Sequence, residues 1–262
     1  MDVLIDRREL LEKARERNLP LGMIEKDYVL GWLLFGFSAV QGFTFKGGTA
    51  LSKIYFPRIW RLSEDLDFVY GTDFDGVLEA LPQVFNTIQK LSGIELALKA
   101  HHSNPDYLQL KIRYNAVLGR NWIRVDVTRE LAIDRVLARK LSQTYSDYPS
   151  FRVEAESLEE IGAEKIRSLV ERKKSRDYYD VWQLMKLKLD RRKLEEMLRK
   201  KFEYKGMKLQ VLEDMFPPDL PEILSGYWER ELGRLISPVP EMGMVIRELK
   251  KHLMSLLKTP IR

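Results

Sequence analysis

Cysteine is absent from the 262 residues, which excludes disulfides and thiolate metal sites. Histidine is nearly absent: three residues, two of them adjacent at His101 and His102, leave little scope for a histidine-rich centre. No run of about 18 uncharged apolar residues occurs. The longest candidate, Tyr28 to Val40, is too short to span a bilayer, and the N-terminus carries no signal-peptide pattern. A cytoplasmic protein with no membrane partner is therefore expected. What remains is an ordinary globular composition: 45% hydrophobic residues, enough for the core of one large domain or two modest ones. Charged residues make up 32% and the net charge is +5, a balance that favours polyanionic partners.

The most informative stretch is Lys46 to Tyr70, KGGTALSKIYFPRIWRLSEDLDFVY. Thr44 and Phe45 end an apolar run, and Gly47 and Gly48 let the backbone turn close to a ligand with no Cβ in the way. Thr49 to Tyr55 reads as a short helix starting there, and a helix start can hold phosphate. After a loop at 57–61, residues 63–69 alternate with period two, so Asp65 and Asp67 share one face of a strand and Leu66 and Phe68 the other. Two carboxylates about 6.6 Å apart repel by roughly 2.5 kcal/mol at an effective dielectric near 20. A divalent cation removes that repulsion, and oxygen-only ligands suit Mg²⁺ or Mn²⁺ shared with substrate phosphates rather than zinc. An acidic surface strand is the alternative reading of D-x-D alone. The spacing Gly42-x-x-x-x-Gly47-Gly48-Thr49 approaches a phosphate-binding P-loop but has glycine where the lysine is required, so it is not one.

A glycine pair, a short helix and D-x-D on a strand together resemble the DNA polymerase β-like nucleotidyltransferases. FKGGTALSKIY, RLSEDLDF and EEIGAEKIRSLVERKKSRDYYDVWQL, with IEKDYVL upstream, resemble one branch more closely, the AbiEii/AbiGii toxin family. The resemblance runs from about Ile24 to Leu184. It implies an α+β fold, a nucleotidyltransferase-type mixed sheet flanked by helices and followed by a helical C-terminal domain. Residues 1–39 would be helices packing on the core, 40–156 the nucleotidyltransferase core and 157–262 the helical domain. It further implies that Lys46, Gly47, Gly48, Thr49 and Ser63 hold the nucleotide and that Asp65 and Asp67 hold metal. The expected reaction is metal-dependent transfer of a nucleoside monophosphate from an NTP to an acceptor hydroxyl. The expected acceptor is an RNA such as the 3′ end of tRNA, and the expected partner a cognate antitoxin.

Further along, Phe74 to Leu91 reads as a helix, and Ile94 to Ala100 and Tyr107 to Tyr114 as paired strands around a turn at 101–106. Residues 122–128 form another strand, where Asp126 shares a face with Arg124 and Thr128, opposite Ile123, Val125 and Val127. The resemblance makes Asp126 the third metal carboxylate, with Asp106 and Asp134 as weaker competitors. Residues 139–150 read as a connector. Before the glycine turn, Ile5 to Arg17 and Leu21 to Ala39 are expected helices.

Ser157-Leu158-Glu159-Glu160 is a capping box, so a helix starts there. If it runs unbroken, residues 165, 169, 172, 176 and 180 fall within about 80° of one another, which joins Lys165, Arg172, Arg176 and Asp180 to Leu169. A kink near Ser175 is the alternative. Lys165 sits in line with Ile161 and Leu169 and so needs an anionic partner, either an internal carboxylate or a bound triphosphate. By resemblance Lys165 and Asp180 are functional, and Arg176 and Asp177 hold the lysine helix or touch substrate. Helices are expected at 193–202, 221–235 and 241–257. Tyr204, Lys205, Lys208, Lys250 and Lys251 read as a solvated face rather than an RNA surface. A carboxylate-metal nuclease would use the same aspartates without needing the glycine turn or Lys165; intact Asp65, Asp67 and Asp126 argue against a non-catalytic RNA- or partner-binding module that retains the fold; and protein nucleotidylation would differ only in acceptor.

Overall fold

The computed structural model describes residues 5–130, 133–207 and 212–257. It divides into two compact units, Met1–Glu156 and Ser157–Arg262.

The first unit opens with α1 (Arg7–Arg17), capped by the Asp6 carboxylate and ended by Asn18 at φ 51°. The buried α2 (Leu21–Phe37) follows. A seven-stranded sheet is then built from β1 (Phe43–Lys46), β2 (Asp65–Tyr70), β3 (Glu95–Asn104), β4 (Tyr107–Ala116), β5 (Gly119–Thr128), β6 (Leu137–Lys140) and β7 (Arg152–Ala155), in the order β3-β4-β5-β2-β1-β7-β6. Between β1 and β2 the chain forms α3 (Gly47–Ala50) and a π-helical turn, Leu51–Tyr55. α4 (Asp75–Ser92) links β2 to β3.

Alternation explains why one face is the core. Leu66, Phe68, Leu108, Leu110, Ile112, Ile123, Val125 and Val127 are fully buried, and Phe37 of α2 packs its ring 5.5 Å from Phe68. The opposite face of β4 and β5 is polar and partly open. β2 sits centrally, antiparallel to β1 and parallel to β5, so the acidic strand is fixed from both sides.

The second unit is helical: α5 (Leu158–Glu171), α6 (Ser175–Met185), α7 (Arg191–Tyr204), α8 (Leu212–Met215), α9 (Leu220–Ser225), α10 (Trp228–Leu232) and α11 (Met242–Leu257). Ser157 caps α5 by accepting from the Glu160 N–H at 3.2 Å.

Several expectations need correction. The turn placed at 101–106 is strand up to Asn104 and again from Tyr107. β3 is an edge strand exposed on both faces, so its polar residues do not alternate in the way that marks a strand. The connector at 139–150 begins inside β6, whose pairing with β7 was not foreseen because four residues carry little periodicity. The helix after the glycine pair begins at Gly47 itself. Of the two readings left open for 157–180, the structure has the break near Ser175: α5 ends at Glu171 and α6 starts at Ser175, with Lys173 between them at φ 43°. The helix expected at 221–235 is two short ones, α9 and α10. Lys208 lies outside the described residues. Among the described residues no helix is long and apolar enough to cross a membrane.

Candidate active site

Strand register assembles the first cluster. Lys46 on β1, Asp67 on β2, Asp126 on β5 and Gln109 on β4 are successive cross-strand partners, one row across four strands. In the next row Asp65 faces Arg124, and Arg124 faces Lys111. Asp65, Asp67 and Asp126 thus stand on one face, as the period-two pattern requires.

The glycine turn is fitted to this row. Gly47 has φ +75°, and a Cβ built on it would overlap the Asp67 carboxylate. Both the backbone angle and the space therefore demand glycine at that position. The Thr49 hydroxyl donates to the Asp65 carbonyl, and the buried Ser63 hydroxyl points at Asp65 Oδ1 from 3.4 Å. Lys46 and Gly48 are buried as well.

Three residues outside the sequence-derived set complete the cluster. Arg124 places Nη2 2.6 Å from Asp65 Oδ2 and Nε 2.9 Å from Asp126 Oδ2. Burial disfavours its charge, but Asp126 and Asp65, with Asp67 adding to them, raise its pKa above the ordinary arginine value. The Tyr107 hydroxyl donates to Asp126 Oδ1 at 2.6 Å, and Gln109 Nε2 donates to the same oxygen at 3.0 Å. Burial and that hydrogen bond push the Tyr107 phenol up. The signal for all three was present: Arg124 alternates onto the Asp126 face of β5, and β4 reads Y-x-Q-x-K-x-R, which places Tyr107 and Gln109 on one face, but only the strand registers bring Arg124 to Asp65 and Tyr107 and Gln109 to Asp126.

Among the described residues, no group of three or more His, Cys, Asp or Glu side chains is gathered closely enough to hold a metal ion. The donor chemistry nonetheless fits a hard divalent cation, since Asp65, Asp67 and Asp126 offer oxygen alone. Two of the three carboxylates already share one positive group, the Arg124 guanidinium.

The second cluster lies within the helical unit. Lys165 Nζ is 2.9 Å from Asp180 Oδ2 and 3.4 Å from Asp177 Oδ1, and both carboxylates are fully buried. α6 folds back on α5 at the 172–174 break, so the lysine and Asp180 meet without the continuous stripe the spacing suggested. The internal ion pair with Lys165 is present, and Asp180 is paired with Lys165 rather than with Arg176. Arg172 Nε and Nη2 grip Asp177 at 2.8 Å each, which fixes the break. Burial alone would raise the Asp177 carboxyl; Lys165 and Arg172, aided by Arg176, hold it down at about 2.

The earlier motif Glu25-Lys26-Asp27 is accounted for by packing. Glu25 accepts from the Leu118 N–H, Lys26 pairs with Glu64 at 3.6 Å, and Asp27 pairs with the buried Lys53 at 2.8 Å.

Comparison with known proteins gives one family and several solved structures of similar fold. The family described as nucleotidyl transferase AbiEii toxin, type IV TA system, matches residues 32–252. No curated protein sequence matches the chain. MenT4, a nucleotidyltransferase toxin from Mycobacterium tuberculosis H37Rv, superposes with a TM-score of 0.76 at 22% identity, over 97% of this chain and 90% of its own. JHP933 from Helicobacter pylori superposes with a TM-score of 0.58 at 16% identity, over 91% of this chain and 93% of its own. At such identities the likeness concerns the fold.

Proposed function

Since the chain belongs to the AbiEii family of nucleotidyltransferase toxins, we propose that it transfers a nucleoside monophosphate from an NTP to an acceptor hydroxyl, most simply at an RNA 3′ end such as that of tRNA, with pyrophosphate leaving. The observation that carries the reading is the row Lys46–Asp67–Asp126 set against the glycine turn. It puts carboxylates and a tight backbone turn on adjacent elements, which suits a triphosphate whose reacting end must be placed beside acidic groups.

In this reading the N-terminal end of α3, with Gly47, Gly48 and Thr49, cradles the phosphates, and Lys46 and Ser63 flank them. Asp65, Asp67 and Asp126 would hold Mg²⁺ or Mn²⁺, which supplies charge neutralisation for an in-line displacement. Asp126 takes the proton of the acceptor hydroxyl, and Tyr107 and Gln109 orient its carboxylate. Within the helical unit, Asp180 and Asp177 aim the Lys165 ammonium, and Arg176 adds positive charge beside them. The bond from acceptor oxygen to the α-phosphorus forms as the bond to the bridging oxygen breaks. As a toxin of a type IV toxin–antitoxin system the chain implies an antitoxin partner.

The test is incubation with each α-labelled NTP, Mg²⁺ or Mn²⁺ and total RNA, with wild type against Asp67→Asn, and RNA resolved from protein. Label on RNA, reduced at least a hundredfold in the variant, is the expected outcome. Label on protein would move the acceptor, and RNA shortened without label would replace the reading by a nuclease.

A further inference from the structure

Beyond the carboxylate row, the open face of β4 and β5 carries a patch that the transfer chemistry leaves unused. Arg120, Trp122, Arg124 and Asp126 alternate along β5 onto one face, with Asn115, Arg113, Lys111 and Gln109 opposite them on β4. Trp122 is 40% exposed, whereas the four other tryptophans are at most 6% exposed. A large indole left in water on a strand is the exception that asks for a reason. Two ammonium groups lie over its ring, Lys111 at 4.1 Å and Lys26 at 5.4 Å from the centroid.

The charges around it fall into two kinds. Lys26 and Arg124 are committed to Glu64 and to Asp65 and Asp126. Lys111, Arg113 and Arg120 have no carboxylate partner among the described residues. A lone aromatic ring among uncommitted cations offers too little apolar area for the core of a protein interface. It does suit a strand of bases and phosphates, because every base has a face to stack and every linkage a charge to meet. Sheet faces with exposed aromatics take single-stranded RNA in this way. Exposed His102 and Asn104, which face Gln109 and Tyr107 from β3, add hydrogen-bonding groups within reach of a 2′-hydroxyl.

We propose that this face docks single-stranded RNA, one base stacking on Trp122 while Lys111, Arg113 and Arg120 meet the backbone phosphates, with the 3′ end directed toward Asp126. Asp126 lies four positions beyond Trp122 on β5, about 13 Å along the strand. A docked strand thus reaches the carboxylate row within a few nucleotides. The inference rests on the transferase reading only for the hydroxyl that is delivered.

Its experiment measures binding and not turnover, so the two readings fail separately. A 5′-labelled single-stranded RNA 12-mer of mixed sequence is titrated with wild type, Trp122→Ala, Trp122→Tyr and the double variant Lys111→Glu/Arg113→Glu, by fluorescence anisotropy at two salt concentrations. Trp122→Ala is expected to weaken binding tenfold or more, and Trp122→Tyr, which keeps a stacking ring, by no more than about threefold. The double variant is expected to bind more weakly and with a shallower salt dependence. NTP affinity and the thermal midpoint should stay at wild-type values in all three. The proposal is overturned by wild type that does not bind the 12-mer, by variants that bind as wild type does, by parallel loss of NTP affinity, or by a DNA 12-mer of the same sequence held as tightly.

Discussion

Residue 47 is where backbone and chemistry constrain each other most closely. Its φ of +75° is open to glycine at no cost, and the Asp67 carboxylate fills the space a side chain would take. The same economy governs Asp177, whose carboxyl is fully buried yet held at about 2 by Lys165 and Arg172. A carboxylate whose folded pKa lies below its unfolded value of 3.8 contributes stability above that value and loses it as pH falls through the folded one. The helical unit should therefore lose stability between about pH 4 and pH 2. Asp177→Asn should lower stability at neutral pH by about 3–5 kcal/mol, because Lys165 and Arg172 lose a shared partner in a buried site. The urea midpoint followed from pH 7 to pH 2 checks both, with the variant expected to show a flatter profile across the acid window.

At the scale of elements, legibility followed periodicity. The D-x-D strand, the apolar α2, the α4 amphipath and the cap at Ser157 all carry their pattern in a single segment, and each stands close to its expected place. Ser157→Ala should cost about 1 kcal/mol by leaving the Glu160 N–H without its acceptor. Equilibrium unfolding in urea, with an unchanged slope, would register it. Other features depend on partners remote in sequence. Asp126 could be placed on a face, but Arg124, Tyr107 and Gln109 joined it only through the β4–β5 and β2–β5 registers. The break at Lys173 arises from the Arg172–Asp177 clamp, which no helical wheel contains. Glu160 was read as half of a capping box, whereas its carboxylate pairs with the fully buried Lys201 of α7 at 2.9 Å.

Across the whole molecule, charge and aromatic exposure are unevenly distributed. Residues 1–156 hold 21 basic and 21 acidic side chains, so the net charge of +5 belongs to residues 157–262, with 23 and 18. Attraction for a polyanion in the sheet unit must then come from local arrangement, such as Lys111, Arg113 and Arg120, rather than from net charge. Tryptophan is similarly uneven: Trp32, Trp60, Trp182 and Trp228 are buried and Trp122 alone faces solvent. Iodide should therefore quench a single emitting population, and Trp122→Phe should abolish that component while leaving the shielded emission intact. The chain thus carries an optical gauge of its own sheet face. Because it has no native thiol, a cysteine introduced beside that indole would accept one dye at one address, turning the approach of any ligand into a distance read in real time.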